Sequence, residues 1–336
     1  MAEQDFATFD MDFSDFERPP ESRLVGHRGS IDQVNQMIKG QCIPHGMIFQ
    51  GPWGIGKSTF AFHMAYGLLK NVPEFCTHLE SHDPLFRQIF SQSHPDYFYL
   101  DGAQGSVEDV REVLQFFQQT AAMGGWRVAI LDNVHLLSVR AATSILKLLE
   151  EPPEKCVLIL ITPHLDRLPM TLRSRCQILN FSPLSPLEGS KVLMEGDPTF
   201  SLDEANQLME HSQGSPGYGL ALKTFGGATF IKQFNESFNQ IETQGLGPIL
   251  SLLDPILFKN KETDLDQAWQ LMVEFLQDFS HRWLKEKVLE DVSYGPLAQV
   301  WFENGSLFQM GEIFHLDRRQ MLIVSLTQLT MYESTR

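Results

Sequence analysis

The chain has 336 residues, 43% of them hydrophobic, with a formal net charge of −16 and a pI near 5.1. This length is too great for one ordinary core and predicts two or three domains. The acidic balance excludes a protein that holds duplex DNA alone through an all-round basic surface. The four cysteines lie far apart without a CxxC pair, so we expect no zinc site, no disulfide framework and a cytoplasmic location.

The first 20 residues alternate phenylalanine with aspartate and end at Pro19 and Pro20. This composition predicts a disordered acidic tail. It is either a solvated leader or a short docking peptide whose aromatic side chains anchor in a partner. Met1–Phe16 has neither a basic nor an apolar region of a signal peptide, and no later stretch is apolar enough to span a bilayer, so we expect no membrane partner.

Residues 21–185 alternate short apolar runs with helical patterns, which predicts an α/β domain with a parallel sheet. We expect helices to open at Ser106, where Asp109 completes a capping box, and at Ser138, the latter helix ending at Glu151 before two prolines. The predicted buried strands are Met47–Gln50, Tyr97–Leu100, Val128–Leu131 and Val157–Ile161.

The strand pattern ends near Pro183. Residues 186–227 predict a small helical lid domain, broken at Gly196 and Gly214. Residues 228–336 predict an all-α C-terminal domain for packing and oligomerisation (a collar domain). Its clearest apolar stripe comprises Leu265, Trp269, Met272, Leu276, Phe279 and Trp283.

Gly51-Pro-Trp-Gly54-Ile-Gly56-Lys57-Ser58 matches the P-loop pattern, directly after an apolar strand and before a helical run that starts at Thr59. The glycines let backbone N–H groups surround a polyphosphate, and Lys57 neutralises its charge. Ser58 can ligate Mg²⁺. The sequence therefore predicts a site for ATP or ADP with Mg²⁺, the alternatives being a simple glycine-rich turn and a cradle kept without occupancy.

The next buried strand ends at Asp132, the predicted partner of Ser58 in holding the magnesium ion. A hydrolytic enzyme of this kind needs a second carboxylate there to accept a proton from the attacking water. This position is Asn133, and an amide cannot act as a base at neutral pH. His135 is a weaker substitute because it lies beyond the strand's end.

Three further stretches resemble bacterial DNA polymerase III clamp-loader subunits of the AAA+ class. They are Asp132-Asn-Val-His-Leu-Leu137, Ala141-Ala-Thr-Ser-Ile-Leu-Lys-Leu-Leu-Glu-Glu-Pro-Pro153 and Leu172-Arg-Ser-Arg-Cys176. With the P-loop and the Thr162 strand end, the resemblance covers about residues 24–183. His94-Pro-Asp96 and Gly124-Gly-Trp-Arg127 look most like the delta-prime subunits of alphaproteobacterial type.

The resemblance implies roles for two residues. Thr162 stands where family members place the sensor of the γ-phosphate, and Arg175 stands where an arginine reaches the ATP of the next subunit. A guanidinium is permanently charged and can stabilise developing charge on a phosphoryl group in trans. Without the resemblance, Thr162 would be an ordinary strand-end hydroxyl and Arg175 a surface ion-pair partner.

Two departures from the hydrolytic members are informative. Gly217 and Tyr218 occupy the positions where motor subunits carry a phosphate-sensing arginine, and the zinc-binding cysteine insertion of relatives is missing. The resemblance therefore implies a clamp-loader subunit that binds nucleotide with little or no hydrolysis. Its implied partners are gamma/tau-like motor subunits, a delta-like subunit, the sliding clamp and primed DNA.

Two other functions stay open. One is a hydrolytic gamma/tau-like motor ATPase of the same complex, which would need another base in place of Asn133. The other is a small-molecule phosphotransferase with a P-loop core, although no arginine-rich lid is evident in the sequence.

Overall fold

A computed structural model describes residues 22–102, 105–259, 265–289, 307–308 and 316–334. The predicted acidic tail lies outside these residues. The chain divides into two compact units, one extending to Leu220 and the other beginning at Ala221. Within the described ranges, no helix combines the length and the apolar character needed to cross a membrane.

The first unit contains all the strands of the described residues. They are β1 (Ser22–Arg23), β2 (Gly46–Gln50), β3 (His78–Leu79), β4 (Tyr97–Asp101), β5 (Arg127–Asp132), β6 (Cys156–Thr162) and β7 (Gln177–Asn180). The helices up to residue 224 are α1 (Arg28–Lys39), α2 (Lys57–Lys70), α3 (Pro84–Phe90), α4 (Val107–Gln118), α5 (Val139–Glu150), α6 (Met170–Arg173), α7 (Pro186–Gly196), α8 (Leu202–His211) and α9 (Pro216–Thr224).

Five strands form a parallel sheet in the order β4-β5-β6-β2-β7, while β1 and β3 form a small antiparallel pair. The predicted α/β class and all four predicted strands are confirmed. The fifth strand, β7, was not predicted because its four residues include polar Gln177 and Asn180, both exposed at the sheet edge. An edge strand carries no continuous apolar signal.

Alternate side chains of β2 enter two different apolar layers. Met47 and Phe49 pack with α2 on one face, whereas Ile48 packs with α4 and α5 on the other. This period of two is what a strand covered by helices on both faces requires. The sheet is therefore held rigidly between two helical layers.

The predicted helix starts at Ser106 and Ser138 are confirmed, and both side chains cap their helices. Ser106 accepts the N–H of Asp109 in a complete capping box, and Ser138 accepts the N–H of Ala141. α5 ends at Glu150, and Glu151 is its C-cap. Ser185 and Ser201 cap α7 and α8, in the region predicted as a helical lid.

The second unit is helical in the described residues. Its helices are α10 (Gly227–Asn239), α11 (Ile241–Gln244), α12 (Gly247–Asp254), a short π-helix (Pro255–Lys259), α13 (Leu265–Leu289) and α14 (Arg318–Ser334). Rings of Phe234, Phe238, Phe275 and Phe279 pack with centroids 4.7–4.9 Å apart for the closest pairs. The predicted stripe on α13 is buried from Trp269 to Trp283. Arg319 of α14 donates two hydrogen bonds to Asp254, at 2.9 and 3.1 Å.

His63 on α2 is a buried histidine that ties this helix to the small β-pair. Its Nδ1 donates to the Cys76 carbonyl at 2.7 Å, so Nε2 is the atom that accepts from the Ser22 hydroxyl at 2.8 Å. Burial lowers the pKa of His63 to about 4, because the charged imidazolium would lose its hydration.

We predict that this histidine makes stability depend on pH. The unfolded chain has the higher histidine pKa, near 6.5, so it gains protons first and stability falls as pH drops from about 6.5 towards 4. The shift corresponds to about 3 kcal/mol at most, at roughly 1.4 kcal/mol per pKa unit. Urea unfolding between pH 4 and 7 measures this loss.

His63→Gln should start less stable but lose less stability over the same pH range. His82→Gln is the matched control, because the His82 side chain is 77% exposed. An unchanged pH slope in the His63 variant would show that the buried imidazole does not control acid stability.

Candidate nucleotide site

The loop between β2 and α2 ends in a helix start without a side-chain cap. Gly54 and Gly56 adopt positive φ angles of 75° and 97°, which favour glycine. Gly56 is the N-cap of α2 and makes no side-chain capping bond, whereas α3, α4, α5, α7 and α8 each begin with a side chain that accepts a backbone N–H. The start of α2 thus offers its dipole and N–H groups to an external anion.

Lys57 lies over this loop and not in solvent. The residue is 5% exposed, and its Nζ donates to the carbonyls of Gly51 at 2.8 Å and Pro52 at 2.7 Å. The ammonium is therefore held where it can neutralise a phosphate bound in the loop. Thr59 follows in the first turn of α2 and is partly buried.

Ser58 and Asp132 meet at the base of the loop. The Ser58 hydroxyl donates to an Asp132 carboxylate oxygen, and the backbone N–H of Asn133 donates to the other at 2.8 Å. Burial raises the pKa of Asp132, while the Ser58 and Asn133 hydrogen bonds and the charge of Lys57 act in the opposite direction. A hydroxyl and a carboxylate are hard oxygen ligands, so this pair fits Mg²⁺ chemically.

Thr162 lies between these two groups in the sheet. It ends β6, the strand between β5 and β2, and pairs in register with Gln50, the residue before the loop. The side chain is fully buried, and its Oγ1 accepts the backbone N–H of His164 at 3.0 Å. The structure therefore brings Thr162 to the same end of the sheet as the loop and Asp132, where the strands have their carboxyl ends.

Asn133, at the position where a hydrolytic enzyme is expected to carry a base, makes structural contacts. Its φ is 47°, a left-handed conformation that asparagine tolerates well. Its side-chain Nδ2 donates to Asp101 Oδ1 at 3.1 Å. The amide thus ties the end of β5 to the end of β4.

Asp101 is a carboxylate of this site that sequence reasoning missed. It pairs in register with Asp132, and its charge contributes to raising the Asp132 pKa, the main cause being burial. The available signal was that the β4 run, like the β5 run, ends in aspartate.

His135 and His164 face each other beside the site, with ring centroids 5.2 Å apart. Burial lowers the pKa of His135 to about 3, and the neighbouring His164, Arg167 and Lys57 lower it further. His135 is therefore a neutral imidazole at physiological pH. Its Nδ1 is buried without a hydrogen-bond partner among the described residues.

The loop packs against the start of α9. Gly217 donates its backbone N–H to the Gly54 carbonyl at 2.8 Å, and the Trp53 and Tyr218 rings meet edge to face at 6.2 Å. A Cβ at position 217 would come within 2.8 Å of the Gly54 Cα. This contact leaves no room for an arginine at position 217.

His27, also missed from the sequence, supports the loop from the other side. Its Nε2 donates to the Ile55 carbonyl at 2.7 Å, and its ring meets Phe181 edge to face. A single histidine before a helix carries no pattern that predicts such a contact.

Arg175 lies at the opposite end of the sheet, where strand β2 begins. Its backbone carbonyl and the Cys176 thiol lie next to Gly46, the first residue of β2, whereas the loop follows the last residue of that strand. About 13 Å of extended strand separate the two positions. The Arg175 side chain is 37% exposed, and its guanidinium contacts Glu150 Oε1 at 2.9 Å and the Thr171 carbonyl at 3.0 Å.

Cys176 is a partly buried packing residue. Burial raises its pKa to about 12, so it is a neutral thiol. Across the described ranges, no three His, Cys, Asp or Glu side chains gather as a metal-binding group.

Comparison with known proteins connects this chain to replication proteins. Residues 26–185 match the family model described as DNA polymerase III, delta subunit. The chain is 33% identical over 186 residues to the DNA polymerase III subunit delta' of Pseudomonas aeruginosa, covering 51% of this chain and 53% of that protein. It is 31% identical over 185 residues to the Escherichia coli subunit delta', covering 53% and 54%.

A tau subunit is also similar. The DNA polymerase III subunit tau of Bacillus subtilis is 31% identical over 164 residues, covering 47% of this chain and 28% of that protein. The matches to the two delta' subunits span about half of their length. A solved gamma subunit-related protein from Thermotoga maritima is 16% identical with a TM-score of 0.42, covering 89% of this chain and 98% of that one. The resemblance drawn from the motifs is confirmed, and the alphaproteobacterial likeness stays a prediction.

We predict that Gly217→Ala destabilises the first unit, because the added methyl group would press on the Gly54 backbone. Overpacking of this kind costs about 1–3 kcal/mol. Gly125→Ala is the control, since a Cβ there meets nothing within 4 Å. Thermal unfolding measures both, and equal midpoints would contradict the close loop contact.

Proposed function

We propose that this chain is a clamp-loader subunit of the delta-prime type, because residues 26–185 match the family model described as DNA polymerase III, delta subunit, and the chain is similar to two delta' subunits. In this proposal it binds nucleotide with little or no hydrolysis and supplies Arg175 to the ATP site of a neighbouring subunit. The complex would load a sliding clamp on primed DNA during replication.

The position of Arg175 is the observation that carries this proposal. The residue is exposed beside the start of β2, while its own P-loop follows the end of the same strand. A side chain cannot cover that distance, so Arg175 cannot contact a phosphate bound in its own P-loop. Any nucleotide phosphate that it contacts must be bound by a neighbouring subunit. Its planar, permanently charged fork suits phosphoryl oxygens.

The P-loop residues would hold ATP or ADP. Backbone N–H groups at the start of α2 face the phosphates, Lys57 neutralises their charge, and Ser58 and Asp132 would hold Mg²⁺, which bridges phosphate oxygens when bound. Thr162 ends the strand between β5 and β2, and its hydroxyl, fully buried here, would act as the sensor of the terminal phosphate that the resemblance implies.

Two features argue against efficient hydrolysis by this chain. Asn133 cannot accept a proton at neutral pH, and its side chain is engaged with Asp101. Gly217 packs on the P-loop where motor subunits are expected to carry an arginine. Both the proton acceptor and the cis cation expected of a hydrolytic site are replaced.

The partners follow from the same proposal. Similar proteins are named as delta', tau and gamma subunits, so the neighbours of this chain would be gamma/tau-like motor subunits and a delta-like subunit. The helical unit from Ala221 onward would supply the collar contacts. With a net charge of −16, the chain would meet primed DNA only through the complex, together with the clamp.

A hydrolytic gamma/tau-like motor remains the second candidate, and Asp101 favours it. This carboxylate lies at the end of β4 close enough to Asp132 to affect its pKa. It would have to release the Asn133 amide and take over the role of the missing base. Under this alternative, the chain would hydrolyse ATP without any partner.

We predict that Arg175→Ala lowers the clamp- and DNA-stimulated ATPase of the assembled loader. Arginine fingers supplied in trans contribute roughly 10³–10⁵-fold to turnover in other systems, so a loss of at least tenfold at the affected site is expected. Nucleotide binding by this chain should not change, because Arg175 is remote from its own P-loop.

Arg87→Ala is the charge-matched control, because Arg87 is an exposed residue of α3 in the same unit. Assembly of each complex is checked by size-exclusion chromatography before the phosphate-release assay. Wild-type turnover of a fully assembled Arg175→Ala complex would rule out the role in trans.

A further inference from the structure

We propose that Glu150 is a positioning residue for Arg175. It holds the guanidinium in the orientation in which its remaining donors meet the neighbour's phosphate. This inference rests on the proposed role of Arg175 in trans and adds a second residue to that half of the site.

The contact is direct and comes from two different elements. Glu150 is the last residue of α5, and Arg175 follows α6 just before β7. Arg175 Nη2 lies 2.9 Å from Glu150 Oε1, and Nη1 donates to the Thr171 carbonyl at 3.0 Å. These contacts use two of the five N–H donors of a guanidinium. The Arg175 side chain keeps 37% exposure in this arrangement.

The surroundings fix the backbone on both sides of this pair. A Cβ on Gly46 would lie 2.5 Å from the Leu149 side chain and 3.0 Å from Cys176 Sγ, so the end of α5 and the Arg175-Cys176 segment both pack on the start of β2. His45 Nε2 also donates to the Leu149 carbonyl at 3.1 Å. The backbone segments that carry Glu150 and Arg175 are therefore both packed against the start of β2.

Helix electrostatics do not explain a glutamate at this position. The last turn of a helix has unpaired carbonyl groups and disfavours an anionic side chain. Exposed ion pairs also add little to stability, and the Glu150 side chain is 52% exposed. A locally unfavourable residue in contact with a functional side chain is typical of a functional constraint.

The contact with Glu150 would orient the Arg175 guanidinium before it meets a phosphate. A free arginine side chain must lose much rotamer freedom before it can contact a phosphate with a defined geometry. The carboxylate and the Thr171 carbonyl reduce this loss because they hold both Nη atoms before the neighbour arrives. The benefit appears when charge develops on the transferred phosphoryl group, so it should affect kcat more than KM.

Glu151 provides a matched control one residue away. It is the C-cap of α5, turned out of the helix with φ −128° and ψ 67° before Pro152, and it forms no ion pair within the part of the chain that the structure describes. Glu150→Gln and Glu151→Gln therefore change the net charge equally, and only the first disrupts the Arg175 contact.

The experiment measures steady-state ATPase of the complete loader, with clamp and primed DNA, for Glu150→Gln, Glu151→Gln, Glu150→Asp, Arg175→Ala and the double variant Glu150→Gln/Arg175→Ala. We expect Glu150→Gln to lower kcat about two- to fivefold, the range that an exposed ion pair provides, with an unchanged KM for ATP. Glu150→Asp should recover part of the loss, and Glu151→Gln should behave as wild type.

The double variant separates positioning from a merely structural role. If Glu150 acts through Arg175, adding Glu150→Gln to Arg175→Ala should have no further effect. A further loss in the double variant, or equal kcat values for Glu150→Gln and Glu151→Gln while Arg175→Ala is impaired, would overturn this inference and leave the proposed function intact. Normal turnover with Arg175→Ala would instead remove the proposed function itself.

Discussion

In a parallel sheet the carboxyl ends of all strands lie at the same end of the sheet, and this constraint creates the P-loop site in the present chain. β5, β6 and β2 are consecutive neighbours, so Asp132, Thr162 and the P-loop emerge side by side. The contact between Ser58 and Asp132 then joins the start of α2 to the end of β5. Two helical layers hold the sheet, and the apolar core thereby determines the geometry of the polar edge.

The same sheet separates two kinds of chemistry. The carboxyl ends of its strands carry the P-loop, with Asn133 bound to Asp101 and the start of α9 packed on the loop through the contact between Gly217 and Gly54. Its amino edge carries Arg175, exposed and oriented by Glu150. In the proposed function, such a domain holds a nucleotide without hydrolysing it and completes the nucleotide site of a neighbour. The arrangement suits a fixed member of a ring of related subunits.

Local patterns were enough to predict much of this architecture. The P-loop, the four buried strands and the Ser106 and Ser138 caps depend on residues close together in sequence, and the structure has each of them. The edge strand β7 and the roles of His27 and Asp101 were missed. The pairing of Glu150 with Arg175 and the packing of Gly54 on Gly217 were also missed. These contacts join residues distant in sequence, and only the folded chain brings them together.

Phosphate release by the purified chain alone with ATP and Mg²⁺, measured beside nucleotide binding, tests the proposed function most directly. We predict nucleotide binding that Lys57→Ala weakens, and no steady release of phosphate, because Asn133 cannot accept the proton of the attacking water. Sustained release that both Lys57→Ala and Asp101→Asn abolish would contradict it and would identify the chain as a motor subunit.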